Sequence, residues 1–332
     1  MEDKIDFVII WVDGNDTEWR KEKNKYAGIP DDAVNGDIRF RDWDILKYWF
    51  RSVEKFAPWV NNVYFVTCGH YPEWLNLNNP KLKFIKHSEY IPEEFLPTFS
   101  SHTIELNLHR IKGLSEKFVF FNDDMFLTSE VEKTDFFVNN MPKRHVGETV
   151  TNGEDFVMPY VNMTNTMIIN NNFNKKDVIK RTWKKYFSYK YGFSNNIRKL
   201  FLMPFTYFSC FTDPHLPSPM LKSTFEDVWE KEENFLKKVS NDKFRQPVAV
   251  SQSIFKLWDI CKGNYCPADY KNCKYVGVTS QNCKDVANDI RTQKYKQMCL
   301  NDVDSKVDFE RIKKEINDAF ESILPEKSNF EL

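Results

Sequence analysis

The sequence predicts an α/β protein, with a mostly parallel, Rossmann-like sheet flanked by helices and a helical insertion in the second half. Apolar runs of strand length, each closed by turn residues, recur through the first 130 or so residues. Stretches with apolar residues at helical spacing separate them, and this alternation marks a doubly wound sheet. Beyond about residue 150 the alternation gives way to helical and aromatic stretches.

Ile5 to Val12 is a nearly continuous apolar run ending at Asp13-Gly14-Asn15-Asp16, which reads as a buried strand. Thr17 to Gly36 is charged and reads as a helix followed by a loop around Pro30. Leu46, Trp49, Phe50, Val53 and Phe56 recur at helical spacing until Pro58 stops them. Val63 to Thr67 and Leu82 to Ile85 are the next strands, and Ser101 to Ile111 fits a helix. Phe118 to Phe121 is a fourth strand, running into Asn122-Asp123-Asp124. In the second half, Asn162 to Asn174 is expected to hold a short strand and an Asn-rich turn, and Asp177 to Tyr191 a basic helix. Phe201 to Pro219 reads as an aromatic loop, and Leu221 to Val239 and Val248 to Cys261 as helices. Val307 to Ile323 completes the chain as an amphipathic helix. With no repeat or clear linker, one domain is expected: a Rossmann-like half over 1–150, a helical half over 151–305, and a C-terminal helix over 306–332.

The formal net charge of −1 offers no field for nucleic acid, so no such partner is expected. Aromatic residues make up 16% of the chain; they fill cores but also stack on sugars and bases, so the excess alone assigns nothing. Cys261, Cys266, Cys273 and Cys283 crowd one stretch without a C-x-x-C pair and read as ordinary thiols. No apolar stretch approaches the ~20 residues of a spanning helix, and the start lacks a signal-peptide core. A cytoplasmic location is expected.

Ligands of such sheets bind at the carboxyl ends of the strands, where both polar clusters fall. Asp123 and Asp124 on a strand-end turn suit a divalent cation beside a diphosphate; alternatively, one of them accepts the proton of an attacking hydroxyl. After the first strand, Asp13 suits a ribose hydroxyl or an amide edge, and Gly14 permits close backbone approach. The missing G-x-G-x-x-G fingerprint disfavours a dinucleotide. Arg41 beside Asp42, and Arg51, offer guanidinium groups of the kind that clamp phosphates. His109 and Arg110 share a helical stretch with His102 and Glu105, and the absence of H-E-x-x-H removes the zinc-protease reading. His215, within Asp213-Pro214-His215-Leu216-Pro217, is an imidazole restrained by prolines on both sides and a candidate general base. Arg245 precedes a helix and is a further candidate for phosphate.

Together these segments resemble the Stealth family, which includes bacterial capsule polymerases and the lysosomal-enzyme N-acetylglucosamine-1-phosphotransferase. Asp6 to Gly14, with Trp11, is similar to its first conserved region. Arg41 to Tyr48, Arg51 to Trp59, Leu108-His109-Arg110-Ile111 and Phe121 to Phe126 resemble the second; Asp213 to Pro217 through Arg245 the third; Cys299-Leu300-Asn301-Asp302 the fourth. Phe99-Ser100-Ser101-His102 departs from the family, whose members often carry Asn-rich sequence there, and the aromatic insert has no clear counterpart.

The resemblance implies a GT-A-like site that passes sugar-1-phosphate from a nucleotide sugar, typically a UDP-sugar, to a glycan hydroxyl, with release of nucleoside monophosphate. The acceptor is then an oligosaccharide or a lipid-linked glycan. It implies catalytic roles for Asp123, Asp124, His215 and Arg245, with Mg2+ or Mn2+ on Asp124. It implies substrate contacts for Trp11, Asp13, Gly14, Arg41, Asp42, Arg51, His109, Arg110 and Asn301. A conventional transferase that moves only the sugar, or an inactive carbohydrate-binding homologue, are the alternatives. Arg198 to Phe205, basic and then aromatic, has the composition of a peripheral membrane contact.

Overall fold

Every residue of β1 (Ile5–Ile10) is buried, because the strand lies at the centre of a sheet covered on both faces. The computed structural model describes residues 4–28, 42–151, 157–303 and 309–332. Asp16 accepts the backbone N–H groups of Glu18 and Trp19 and so starts α1 (Thr17–Ala27), which ends on Gly28 in the left-handed region. Then come α2 (Leu46–Phe56), β2 (Val63–Thr67), β3 (Leu82–Lys86), α3 (Ser101–Leu106) and β4 (Lys117–Phe121). Strands β1 to β4 are mutually parallel in the order β4-β1-β2-β3. The chain leaves β1 toward β2 on one side and returns to β4 on the other. The crevice between β1 and β4 is therefore the topological switch point, where such sheets bind ligands.

Alternate residues of β1 feed two cores. Ile5, Phe7 and Ile9 face one with α2, and Val8 and Ile10 face the other. The buried Asp6 carboxylate is satisfied at the amino edge of the sheet by Asn61 Nδ2 at 2.7 Å and the N–H groups of Asn62 and Ser115 at 3.0 and 2.8 Å.

The chain continues through β5 (Met125–Leu127), the short α4 (Lys133–Phe136), β6 (Phe137–Val138), β7 (Met141–Arg144) and β8 (Gly147–Glu148). Helices α5 (Val157–Asn172), α6 (Lys175–Tyr186) and α7 (Phe193–Leu202) follow, then β9 (Phe211–Thr212) and β10 (Ser218–Leu221). The last elements are α8 (Lys222–Ser240), α9 (Ser253–Lys262), β11 (Cys266–Pro267), β12 (Cys273–Val278), α10 (Cys283–Arg291), β13 (Gln297–Asp302) and α11 (Phe309–Ile323).

The second half does not stand apart. β10 pairs antiparallel with β4, with Ser218 opposite Phe120, and β13 pairs antiparallel with β5. Elements from both halves thus close around the end of β4. The expected α/β sheet with flanking helices is the fold observed, and five parts of the sequence reading need correction. The helix expected over Asp177 to Tyr191 is α6, which ends at Tyr186, followed by a separate turn at Tyr189–Tyr191. Residues 162–174 lie mostly in helix α5: Asn165 Nδ2 donates to Ser251 Oγ at 2.9 Å and Asn172 Nδ2 to Glu232 Oε1 at 2.5 Å, so its asparagines tie the helix to its neighbours and make no turn. The expected helix from Val248 begins only at Ser253. The aromatic loop from Phe201 contains the end of α7 and two strands. Ser101 to Ile111 is α3 followed by a separate single turn at Leu108–Arg110.

Candidate active site

The carboxyl ends of β1, β2 and β4 lie along one edge, and two polar clusters form there. The first joins the ends of β1 and β2. Thr67 Oγ1 accepts the Gly69 N–H at 2.9 Å and donates to the His70 carbonyl at 2.7 Å. Gly69 makes that tight turn at φ +136°, a conformation other residues rarely adopt. His70 is thereby presented to Asp13. Its Nε2 accepts the Asp13 N–H at 2.8 Å, which leaves Nδ1 to donate to Asp16 Oδ2 at 3.2 Å. Trp11 packs on His70, ring centres 5.3 Å apart, and on Phe65 at 5.7 Å. Gly14 is buried and its carbonyl accepts from Arg20 Nε, so Asp13, Gly14 and Asp16 form a braced loop over the end of β1.

The second cluster closes on β4. Asn122-Asp123-Asp124 turns the chain from β4 into β5. The Asp124 carbonyl accepts the Leu300 N–H at 2.8 Å, and Asp124 Oδ2 accepts from Cys299 Sγ at 3.2 Å. His215 reaches the same turn from the loop before β10: its Nε2 stands 3.5 Å from Asp124 Oδ2 and 3.3 Å from Asn122 Nδ2. Burial works against charge on the imidazole, but the Asp124 carboxylate outweighs it and raises the His215 pKa. The carboxyl of Asp123 is pushed up to about 7, first by loss of bulk water around it and then by the charge of Asp124. Its side chain still opens to solvent, so it lies on a concave wall and not in an enclosed core.

The loop carrying His215 is fixed from behind. Asp213 Oδ1 pairs with the buried Lys256 Nζ at 2.6 Å, and Asp213 Oδ2 accepts from Ser253 Oγ. Lys256 also donates to Ser218 Oγ at 3.3 Å. Arg245 is exposed, donates to Ser101 Oγ at 2.6 Å, and lies near enough to Asp123 to lower its pKa. The buried Glu105 sits behind it, accepting the Gln252 N–H at 3.3 Å.

Asn301 Nδ2 donates to Tyr275 Oη at 2.8 Å, and the Tyr275 ring lies 6.0 Å from His215, so Asn301 borders the same corner. Asp42 is exposed and accepts the Asp44 N–H at 2.7 Å; the neighbouring Trp43 Nε1 donates to Asp302 Oδ2 at 3.2 Å, which places this segment beside Asn301. Arg41 lies outside the described residues.

Three expected substrate contacts point elsewhere. Arg51 is buried in α2 and grips the C-terminal segment: Nε and Nη2 each lie 2.9 Å from the Glu331 carboxylate, and Nη1 donates to the Leu324 carbonyl at 2.8 Å. A guanidinium gripped in this way is buried and aimed at the C-terminal segment, away from the carboxyl edge of the sheet. His109 and Arg110 precede β4 and therefore sit at the opposite, amino edge of the sheet. His109 is buried against Phe225 and Trp229 with its pKa lowered to about 3 by burial, and the Arg110 guanidinium lies 4.6 Å over the Trp229 ring.

A divalent cation is tested by the donors present. Neither Asp124 Oδ1 nor Asn122 Oδ1, both buried, has a hydrogen-bond partner among the described residues. Ligand atoms of Asp124, His215 and Cys299 lie within 4.8 Å of one another. Burial and the adjoining carboxylates raise the pKa of the Cys299 thiol, and the hard donors beside it are the carboxylate and amide oxygens of Asp124 and Asn122. That set fits Mg2+ or Mn2+. The crowded cysteines Cys261, Cys266, Cys273 and Cys283 are free thiols. Sequence reasoning missed His70, Lys256 and Cys299 as site residues. The only signal for them was proximity to a strand end for His70 and membership of the last motif for Cys299.

Residues 3–30 match Stealth protein CR1, conserved region 1; residues 39–145 match Stealth protein CR2, conserved region 2; and residues 288–332 match Stealth protein CR4, conserved region 4. The capsular polysaccharide phosphotransferase WcwK of Streptococcus pneumoniae is 40% identical over 99% of this chain and 98% of its own. The receptor polysaccharide phosphotransferase WefC of Streptococcus gordonii is 41% identical over the whole of both chains (100% each). The exopolysaccharide phosphotransferase cps2G of Lactiplantibacillus plantarum is 39% identical over 98% of this chain and 96% of its own. Among solved structures, an active-site mutant of LgtC covers 94% of this chain and 95% of that chain at 10% identity and a TM-score of 0.37, too slight a likeness to argue from. Matches to the first, second and fourth conserved regions in order, with full-length relatives near 40% identity, show that the chain belongs to the Stealth family.

Proposed function

We propose that this chain transfers sugar-1-phosphate from a nucleotide sugar, a UDP-hexose or UDP-N-acetylhexosamine, to a glycan hydroxyl in capsular or cell-surface polysaccharide synthesis. The observation that carries the reading is the corner at the end of β4, where the His215 imidazole meets the Asp124 carboxylate and the buried Oδ1 atoms of Asp124 and Asn122 have no hydrogen-bond partner among the described residues. The acceptor oxygen bonds to the sugar-bearing phosphorus, the bridging bond to the other phosphate breaks, and nucleoside monophosphate leaves. His215 takes the hydroxyl proton at Nε2, with Asp124 stabilising the imidazolium that results. Arg245 supplies positive charge on the side of Asp123, where charge accumulates on the transferring phosphoryl group. The loop of Trp11, Asp13 and His70 is the side assigned to the nucleotide, and Asn301 with Asp42 borders the acceptor side.

Mg2+ or Mn2+ would be held by Asp124 and Asn122, with Asp123 beside them, which leaves His215 Nε2 to act as the base; when bound the cation would neutralise diphosphate charge. The acceptor is an oligosaccharide or lipid-linked glycan, and the expected location is cytoplasmic. No helix among the described residues is long and apolar enough to cross a membrane.

Incubation with a panel of nucleotide sugars and a glycan acceptor, followed by phosphorus NMR, tests this. A phosphodiester signal with nucleoside monophosphate is expected. Nucleoside diphosphate with an unphosphorylated glycoside would replace the reading with simple glycosyl transfer.

A further inference from the structure

We propose that the outward faces of α5 and α7, with the loop leading from α7 to β9, form a docking surface for an anionic lipid bilayer. α7 is inverted relative to an ordinary surface helix. Its inward positions are Asn195, Lys199 and Leu202, whereas Phe193, Ile197, Leu200 and Phe201 lie on the other side. Phe193 is 81% exposed and Phe201 75%. A helix packed on a domain turns its apolar stripe inward; here polar groups anchor it, with Lys199 Nζ and Asn195 Nδ2 donating to the Val146 carbonyl at 3.1 and 3.0 Å.

The apolar face extends beyond the helix. Met203, Phe205 and Tyr207 are exposed on a loop whose backbone is held in place. Lys175 Nζ, paired with Glu148 at 2.6 Å, donates to the carbonyls of Leu202 and Tyr207 at 2.7 and 3.3 Å. Asn170 exchanges two hydrogen bonds of 2.9 Å with the Phe208 backbone. From α5, Tyr160, Met163 and Met167 add an exposed stripe at helical spacing, and Met163, Met167 and Tyr207 line one cavity of about 310 Å³. Exposed apolar side chains on a fixed backbone, in one contiguous patch, mark a surface that another phase covers.

Charge selects the occupant. Residues 175 to 199 hold nine lysines and arginines against one acid, Asp177, in a chain whose net charge is −1; Lys175 and Lys199 are buried anchors, which leaves seven toward the surface. Lys176, Lys180 and Lys184 are exposed. An aromatic and aliphatic centre with a basic flank matches acyl chains beneath anionic headgroups. A second copy of this face would meet like charge. From this patch the chain passes through β9 to Asp213 and His215. The proposal stands independently of the reaction proposed above.

The full chain is mixed with phosphatidylglycerol or phosphatidylcholine vesicles and separated by flotation, using the wild type, Phe201→Ser with Phe205→Ser, and Lys180→Glu with Lys184→Glu. Binding should be at least ~10-fold tighter to the anionic vesicles and fall by about that factor in high salt. Each double variant should lose about tenfold in binding while keeping its circular dichroism and its turnover of a soluble acceptor. Equal binding of neutral and anionic vesicles, or unchanged flotation of the two double variants, overturns the proposal. So does a wild type that ignores vesicles while the phenylalanine variant dissolves a dimer in sedimentation or loses affinity for a free oligosaccharide.

Discussion

Single side chains in this fold divide into those that face the carboxyl edge and those that hold the frame, and chemical type alone does not tell them apart. His215 and His109 are both histidines that the sequence marked as site candidates, yet one stands 3.5 Å from Asp124 and the other is sealed against Phe225 and Trp229. Replacing His215 with Asn should lower kcat by ~10²–10⁴-fold, the usual worth of a positioned base, with little change in donor KM. Release of nucleoside monophosphate under saturating donor measures this, and an undiminished kcat would remove His215 as the base. Arg51→Ala belongs to the other class. Stranding Glu331 should cost about 3–5 kcal/mol of stability, read from a denaturant midpoint, with kcat/KM of the folded fraction preserved. A variant with wild-type stability and a raised donor KM would return Arg51 to the phosphate. The sequence offered a guanidinium and could not show which carboxylate had taken it.

At the scale of elements, the strands and α2 were legible because their periodicity has one physical cause, burial on one or two faces. α5 was not, since asparagine favours turns in isolation and the ties of Asn165 and Asn172 to Ser251 and Glu232 exist only after folding. The placement of His215 also belongs here. Its loop is anchored to α9 through Asp213 and Lys256, so an element remote in sequence aims the imidazole. Lys256→Met should keep the packing of α9 yet cost ~10–100-fold in kcat, because small misplacements of a reacting group are expensive. Steady-state kinetics with a circular dichroism control checks it, and a fully active variant would show that the prolines alone suffice.

For the molecule as a whole, acid sensitivity follows from histidines packed into its interior. Burial lowers the pKa of each of His87, His102 and His109 to about 3 from an ordinary 6.5. Between those values the unfolded chain binds protons that the folded chain does not, so stability present at higher pH is lost as pH falls below 6.5. Each histidine should contribute roughly 1 kcal/mol of loss over the first pH unit. Urea midpoints measured between pH 7 and 5 test this, with His109→Phe expected to flatten the curve; a pH-independent midpoint would contradict the burial of these rings. The amino-acid sequence by itself determined the parallel α/β frame, the strand ends where polar clusters gather, and the family motifs, because hydrophobic periodicity and short turns are local in the chain. Only the tertiary structure decided that His70 meets Asp13 and Asp16, that Cys299 and His215 both reach Asp124, and that Arg51 is spent on Glu331. Those pairings join residues tens to hundreds of positions apart, and which donor finds which acceptor is fixed by packing, not by the composition of either segment.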